Sequence, residues 1–267
     1  NFIKITMFRY WKIGLRKLIP LSVQVPLKYW YSYLRGYSEA EMVLLKHLVK
    51  NETMAIDIGG NRGIYSYYIS KFCPNIEIFE PNPVCFDILS AWSCHKDGIN
   101  VHKVALSNVN GSAELLIPID VDGVEHDSSG SIENNHFANT RSETVPLKSL
   151  DSFAFQVVDF IKIDVEGHEF ALLQGAVETI QASNPAMLIE IEQRHNNVDI
   201  VEIFSFIENL GYKSYYLDEG MLYDSSHFDL ALLQAEENLT TSNKYINNFL
   251  FLHKDRLNTS EYKNLPI

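Results

Sequence analysis

The sequence predicts an α/β fold, a mostly parallel sheet covered by helices on both faces. Three observations predict it. From about residue 54 onward, apolar runs of strand length alternate with runs of helical periodicity, at the spacing of βαβ units. Runs such as Phe160-Ile161-Lys162-Ile163 are nearly continuous in apolar residues, as strands buried on both faces are. The first run, Met54-Ala55-Ile56-Asp57-Ile58, opens into the turn Gly59-Gly60-Asn61-Arg62-Gly63 and then a second apolar run from Ile64 to Phe72. A strand, a Gly-rich turn and a helix in that order bring backbone N–H groups close to a bound cofactor.

Along the chain, residues 1–20 can be drawn as an amphipathic helix, with Phe8, Trp11, Leu15 and Leu18 on one side, Arg9, Lys12 and Arg16 on another, and Pro20 ending it. Residues 21–37 are rich in aromatics and read as a loop or short helix. Ser38 and Glu41 have the spacing of a capping box ahead of Met42, Leu45, Leu48 and Val49, which predicts a helix start. The alternation then gives strand 54–58 and helix 63–72, strand 76–80 and helix 83–94, and strands 100–105 and 112–117. Residues 118–143 are polar and aperiodic, a loop long enough to be functional or mobile. Strand 158–164, helix 168–182, strand 186–192 and helix 198–210 follow, the last closed by Gly211 as a C′ glycine. A hairpin around Asp218-Glu219-Gly220 and a last strand at 247–253 complete the reading. The expected domains are a basic, aromatic N-terminal extension (1–37), one α/β domain (38–256) and a short tail (257–267).

Charge separates the extension from the body. The first 36 residues carry Lys4, Arg9, Lys12, Arg16, Lys17, Lys28 and Arg35 and no acid, whereas the whole chain has net charge −12, so the rest carries −19. An acidic body argues against nucleic-acid binding. The basic head suits peripheral contact with an anionic membrane, and equally a helix packed on its own protein or in a homodimer. No run of 18 apolar residues is present to span a bilayer. Cys73, Cys85 and Cys94 are odd in number and lack metal-ligand spacing, which fits reduced thiols and a cytoplasmic location, with the inner face of a membrane open to the head.

In open α/β sheets the ligand lies at the carboxyl ends of the strands. The residues expected there are Asp57, Gly59, Gly60 and Asn61, then Glu80, Pro81 and Asn82, then Ala105, then Asp164, Glu166 and His168, and then Glu190, Glu192 and His195. Glu80 stands 23 residues after Asp57, at the end of the next strand, where an acid accepts both hydroxyls of a ribose. Asn61 and Ile64 occupy the second and third glycine positions of a dinucleotide fingerprint, and no Gly-Lys-Ser/Thr follows, so the turn is neither a pyrophosphate-binding turn nor a P-loop. His168 and His195 are the candidate bases. Asp164, Glu166, Glu190 and Glu192 are the oxygen ligands a divalent cation would use, although Glu166 and Glu169 also suit a helix first turn. Asp120-Val121-Asp122 imitates a sugar-nucleotide transferase motif on three residues. His126, His136 and Ser128-Ser129-Gly130-Ser131 suit a lid over the acceptor.

Four blocks together resemble the FkbM family of S-adenosylmethionine-dependent methyltransferases: Ala55-Ile56-Asp57-Ile58-Gly59-Gly60-Asn61, Ile78-Phe79-Glu80-Pro81-Asn82-Pro83, Val145-Pro146-Leu147 with Leu150-Asp151, and Ile161-Lys162-Ile163-Asp164-Val165-Glu166-Gly167-His168-Glu169. The resemblance runs from about residue 50 to 195. One departure is Gly60, where the family usually has Ala. The resemblance implies a Rossmann-like class I methyltransferase sheet, seven-stranded with an antiparallel last strand. It also implies S-adenosylmethionine as cofactor and O-methylation of a hydroxyl on a sugar, glycan or natural product. In that reading Asp57, Gly59, Gly60, Asn61, Glu80, Pro81, Asn82, Ala105 and Asp164 hold the cofactor. Asp164, Glu166, His168 and His195 line the methyl-transfer end, and whether a metal assists is left open. Two other readings stay open, a sugar-nucleotide transferase on a similar fold and a non-catalytic membrane-associated component.

Overall fold

The structure is a computed structural model that describes residues 18–119, 130–133, 139–239, 244–257, 259 and 262–266. Most of the basic amphipathic helix expected at 1–20, the Asp120/Asp122 motif, Ser128, Ser129, His126 and His136 lie outside the described residues.

The main sheet is built from β1 (Met54–Ile58), β2 (Asn75–Phe79), β3 (Ile99–His102), β7 (Phe160–Ile163), β8 (Ala186–Glu190), β9 (Tyr212–Asp218), β10 (Met221–Asp224) and β11 (Asn248–His253). Their spatial order is β10-β9-β11-β8-β7-β1-β2-β3. Strands β3, β2, β1, β7 and β8 run parallel. Strand β11 is antiparallel to both its neighbours, β8 and β9. This is the expected mostly parallel sheet with its antiparallel last strand. The hairpin expected near Gly220 is present, and its β10 lengthens the sheet from seven strands to eight. A second sheet, ordered β4-β6-β5, joins Ala105–Leu106, Thr140–Lys148 and Gly111–Pro118.

Strand parity sorts the side chains into two cores. Ala55, Ile76, Ile78, Phe160, Leu188, Leu250 and Leu252 point to one face, and are covered by helices α1 (Leu21–Leu34), α3 (Ile64–Ile69) and α4 (Pro83–Ser93). Ile56, Ile58, Ile161, Ile163, Ile189, Phe249 and Phe251 point to the other. That face is covered by α5 (Glu169–Gln174), α6 (Val177–Ser183) and α7 (Ile200–Asn209). The parity that fills the first core also decides the site. Asp57, Lys162, Asp164 and Glu190 are each an even number of residues from Ala55, Phe160 or Leu188, so they emerge on the first face at the carboxyl edge of the sheet.

Several local expectations change. The capping box does not form. The chain enters a 3₁₀ turn, Ala40–Leu44, from an extended Glu39 with no side-chain cap, and α2 (Leu45–Leu48) follows. Tertiary burial overrides the local signal, because the Glu41 carboxyl is pushed up to about 7 by burial rather than held at a helix start. Residues 21–34 form a full helix whose Val25 and Tyr29 belong to the first core. Helix 168–182 is two helices broken at Gly175, where a Cβ would lie 2.1 Å from the Ser107 carbonyl oxygen. Gly211 does close α7 with φ +99°, its N–H donating to the Glu208 carbonyl at 2.9 Å. Strand β6 occupies the end of the segment read as a loop.

Candidate active site

The order in which strands are added to the sheet reverses between β1 and β7, and it is outside the carboxyl ends of the strands at such a point that ligands of open α/β sheets bind. The turn after β1 is anchored by Gly59 and Gly60, whose N–H groups both donate to the Phe79 carbonyl, at 2.9 and 3.2 Å. Gly59 has φ +81°, and a Cβ there would stand 1.8 Å from the Asp164 carbonyl oxygen. The turn and the end of β7 therefore pack backbone against backbone, which only glycine allows. Gly59→Ala is expected to lower the urea midpoint, with about 1–2 kcal/mol lost to the left-handed backbone alone and more to the clash. An unchanged midpoint would contradict this packing. Gly60 is similarly confined, since an added Cβ would lie 2.5 Å from Ile78 Cγ2, so the departure from the family pattern is matched to the bulk of Ile78.

Glu80 ends β2 and is buried, with Oε2 accepting from the Asn61 N–H at 2.6 Å and Oε1 from the Asn82 N–H at 2.8 Å. Its carboxylate thus ties the two ligand-edge turns together and keeps further lone pairs on both oxygens. Burial raises its pKa to about 7 against the pull of those two N–H groups. The neighbouring Asn82 caps α4 through its side chain, which accepts from Val84 N–H at 2.9 Å.

Beneath this edge lies a buried charge network that the sequence reading did not assemble. Asp57 and Lys162 are register partners across β1 and β7. Lys162 is 1% exposed and donates to the Ile163 carbonyl (3.1 Å) and Asn248 Oδ1 (3.3 Å), with its ammonium 4.9 Å from the Tyr65 ring centre. Asn248 in turn donates to Glu39 (3.2 Å), which also accepts from the Tyr65 hydroxyl. Asp57 accepts from Ser66 Oγ–H. Burial pulls the Lys162 ammonium down, but Asp164, Glu190, Glu39 and Asp57 outweigh it, so its pKa stays above the ordinary lysine value. Burial pushes Asp164 up to about 7, with Lys162 opposing and Glu166 and Glu39 reinforcing. Burial and the Asp164 charge also raise the Glu190 pKa, so the two carboxyls share the site as a pair that resists holding two negative charges at once.

The two histidines are placed differently. His168 has both ring nitrogens engaged, Nδ1 at 2.6 Å from Glu133 Oε1 and Nε2 at 3.0 Å from Ser107 Oγ, so it ties the 130–133 segment to the end of β4. His195 Nδ1 lies 3.1 Å from Glu166 Oε2, and that contact raises its pKa. Glu166 itself sits in the left-handed region, φ +53°. Glu169 is buried and accepts from Gly167 N–H (3.0 Å) and Asn196 Nδ2 (3.0 Å), the first-turn role that its position suggested. Glu192 faces Arg194 and Tyr245. Among the described residues no three or more His, Cys, Asp or Glu side chains gather as a metal site.

Two cavities open at this edge. The first, about 630 Å³, is lined by Glu80, Pro81 and Asn82 and by apolar groups including Val104, Ala105, Leu106, Leu115 and Ile132, with Glu166 and His168 at its rim. The second, about 820 Å³, is lined by Lys28, Ser38, Glu39, Asp57, Gly60, Arg62, Tyr65 and Lys162 among others. Gly59, Asn61 and Asp164 line both, so both cavities border the turn after β1 and the end of β7. All nine residues expected to hold a cofactor line one cavity or the other, and of the four expected at the reacting end only His195 lines neither.

These linings fit S-adenosylmethionine. The first offers an apolar slot beside a ribose-competent acid. The second offers carboxylates and cations together, as an amino-acid zwitterion requires. It also holds Ser38 Oγ, buried and without a hydrogen-bond partner among the described residues. Lys162, Glu39, Tyr65 and Asn248 were missed as site residues. For Lys162 a signal existed, since K-x-D on a strand puts both charges on one face. Glu39 and Asn248 are 209 residues apart and give no local sign of meeting.

The family model for the methyltransferase FkbM domain matches residues 57–214. The hexuronic acid methyltransferase AglP of Haloferax volcanii is 27% identical over 174 residues, covering 64% of this chain and 69% of that protein. Methyltransferase sdnD of Sordaria araneosa is 26% identical over 155 residues, covering 46% of this chain and 60% of that protein. The crystal structure of methyltransferase FkbM from Methylobacillus flagellatus is 14% identical, with a TM-score of 0.48 over 74% of this chain and 43% of that one. This chain therefore spans less than two thirds of the length of the latter two. The matched segment holds the turn after β1, Glu80 and the Lys162–Glu169 block, and the chain belongs to the FkbM family of S-adenosylmethionine-dependent methyltransferases.

Proposed function

We propose that this chain transfers a methyl group from S-adenosylmethionine to a hydroxyl of a sugar, glycan or natural product. The observation that carries the reading is the pair of cavities that share Gly59, Asn61 and Asp164 as lining residues. Glu80 would hold the ribose in the first cavity, with Pro81, Asn82 and Ala105 beside the base. Asp57, Gly59, Gly60, Asn61 and Ser38 would hold the methionyl end in the second. When bound, the cofactor supplies a methyl already activated on a sulfonium. The protein then has to align the acceptor, exclude water and remove the hydroxyl proton.

Asp164 is the group placed to take that proton. It lines both cavities, and burial raises its pKa from the ordinary carboxylate range toward neutrality, in the direction a base working near neutral pH needs. His168 is already engaged on both ring nitrogens, and His195 leans on Glu166 and lines neither cavity. Glu166 and His195 are assigned to the acceptor rim. The Haloferax relative is named for a hexuronic acid, which supports a carbohydrate acceptor and raises a specific chemical question, because a uronic acid offers both hydroxyls and a carboxylate. A carboxylate needs no base, whereas a hydroxyl does.

The test is transfer of radiolabel from methyl-labelled S-adenosylmethionine into the carbohydrate fraction of an extract. Alkali-stable label is the expected outcome, since a methyl ether survives alkali. Asp164→Ala protein is expected to give none. Alkali-labile label would mean a methyl ester and overturn the hydroxyl assignment, and absence of label in any small-molecule or glycan fraction would count against transferase activity on this class.

A further inference from the structure

Helix α1 has two apolar faces, and the fold uses only one. Val25, Tyr29 and Ser32 form the inward stripe, buried against α3 and α4. The outward stripe is Val23, Leu27, Trp30 and Leu34, at i, i+4, i+7 and i+11, and these are 42%, 50%, 46% and 78% exposed. Tyr33 and Tyr37 extend it. A contiguous apolar stripe of this kind on a water-soluble surface marks an interaction site.

Charge selects the partner. The stripe belongs to a segment of 36 residues with seven cations and no acid, on a body that carries −19. Two copies joined symmetrically through this helix would bring two such cationic heads together. An anionic lipid surface attracts the head, repels the body, and so fixes the orientation, with about 1 kcal/mol gained per Lys or Arg near the surface. Trp and Tyr beside Leu and Val are the side chains that an interfacial helix places at headgroup depth. No helix among the described residues is long and apolar enough to cross a membrane, so the contact is peripheral.

We propose that α1 is a docking surface for an anionic lipid bilayer, through Val23, Leu27, Trp30 and Leu34, with Lys28 and Arg35 beside them in the sequence. The same helix contributes Lys28 to the second cavity, so docking sets that cavity beside the lipid plane.

The experiment is flotation of the full chain with phosphatidylcholine vesicles, with and without phosphatidylglycerol. Binding is expected only to the anionic vesicles, weakening as salt is added, with a blue shift of tryptophan emission. The double variant Leu27→Glu/Trp30→Glu is expected to lose more than about tenfold in vesicle binding, the equivalent of about 1.4 kcal/mol of lost apolar burial. Its affinity for S-adenosylhomocysteine is expected to stay unchanged, because neither side chain lines a cavity, and its melting temperature is expected to fall only by what the Trp30 contacts with Tyr29, Tyr33 and Lys71 contribute. No binding to anionic vesicles, or equal binding by the double variant, overturns the proposal. A dimer that the double variant dissolves, in a protein that ignores vesicles, overturns it in favour of self-association. Vesicle binding is read without any methyl donor, so its failure is separate from failure of the methyltransferase reading.

Discussion

Lys162→Met is expected to destabilise the protein by about 3–5 kcal/mol near neutral pH, because it leaves buried carboxylates without their cation. The side chain is 1% exposed and has Asp57, Asp164, Glu190 and Glu39 around it, so methionine fills its volume and removes the charge together with the hydrogen bonds to the Ile163 carbonyl and Asn248. The deficit should depend on pH in a defined direction. A carboxyl whose folded pKa is raised holds its proton more tightly folded than unfolded, so its contribution to stability is full below the unfolded value and is lost as pH rises to the folded one. For Asp164 that window runs from 3.8 to about 7. Without Lys162 the carboxyl pKa values rise further, and the variant loses stability more steeply as pH rises through and beyond this window. Urea titrations at about pH 5.5 and about pH 8 read it, with the larger deficit at the higher pH. A deficit under about 1 kcal/mol, or one independent of pH, would show that the lysine does not neutralise this cluster.

The second large effect is catalytic. Asp164→Asn keeps the side-chain shape and removes the proton acceptor, and kcat is expected to fall by about 10²–10⁴. In the wild type kcat should rise with pH through an apparent pKa near 7, since Asp164 accepts a proton only when ionised. The asparagine variant should lose that rising limb. S-adenosylhomocysteine should still bind it, because Glu80 and the turn after β1 are untouched. An unchanged pH profile in the variant would move the base elsewhere, with the Glu166–His195 pair the next to examine.

The parts of the site that lie close in sequence were legible. Strand parity and turn chemistry identify Asp57, Gly59, Glu80 and Asp164, because each closes a strand at one edge of a parallel sheet. The same parity contains Lys162, two residues before Asp164, though a charged side chain in the middle of an apolar strand carries no local hint of its partners. Glu39, just ahead of the Ala40–Leu44 turn, and Asn248, at the start of β11, reach it from opposite ends of the domain, and that is tertiary information. Strand β6 was hidden because its sequence, Thr-Arg-Ser-Glu-Thr-Val-Pro-Leu-Lys, is mostly polar and contains Pro146. Only Leu147 and Lys148 pair with β4, so the proline's missing N–H removes no rung on that side. The S-x-x-E pattern at Ser38 failed for the opposite reason. A local signal was present, but burial of Glu41 and the demands of the second cavity on Ser38 and Glu39 overrode it.

The central claim is that the two cavities together hold one methyl donor, and calorimetric titration of the full chain tests it most directly. S-adenosylmethionine and S-adenosylhomocysteine are each expected to bind with one site per chain. Glu80→Ala should weaken both by about ten- to a hundredfold, the worth of hydrogen bonds to a charged group. Binding of S-adenosylmethionine should strengthen as pH rises through about 7, where Asp164 ionises beside the sulfonium, and that of the uncharged homocysteine sulfur should change less. A folded wild-type chain that takes up neither ligand, or Glu80→Ala protein that binds both as well as the wild type, would contradict the account.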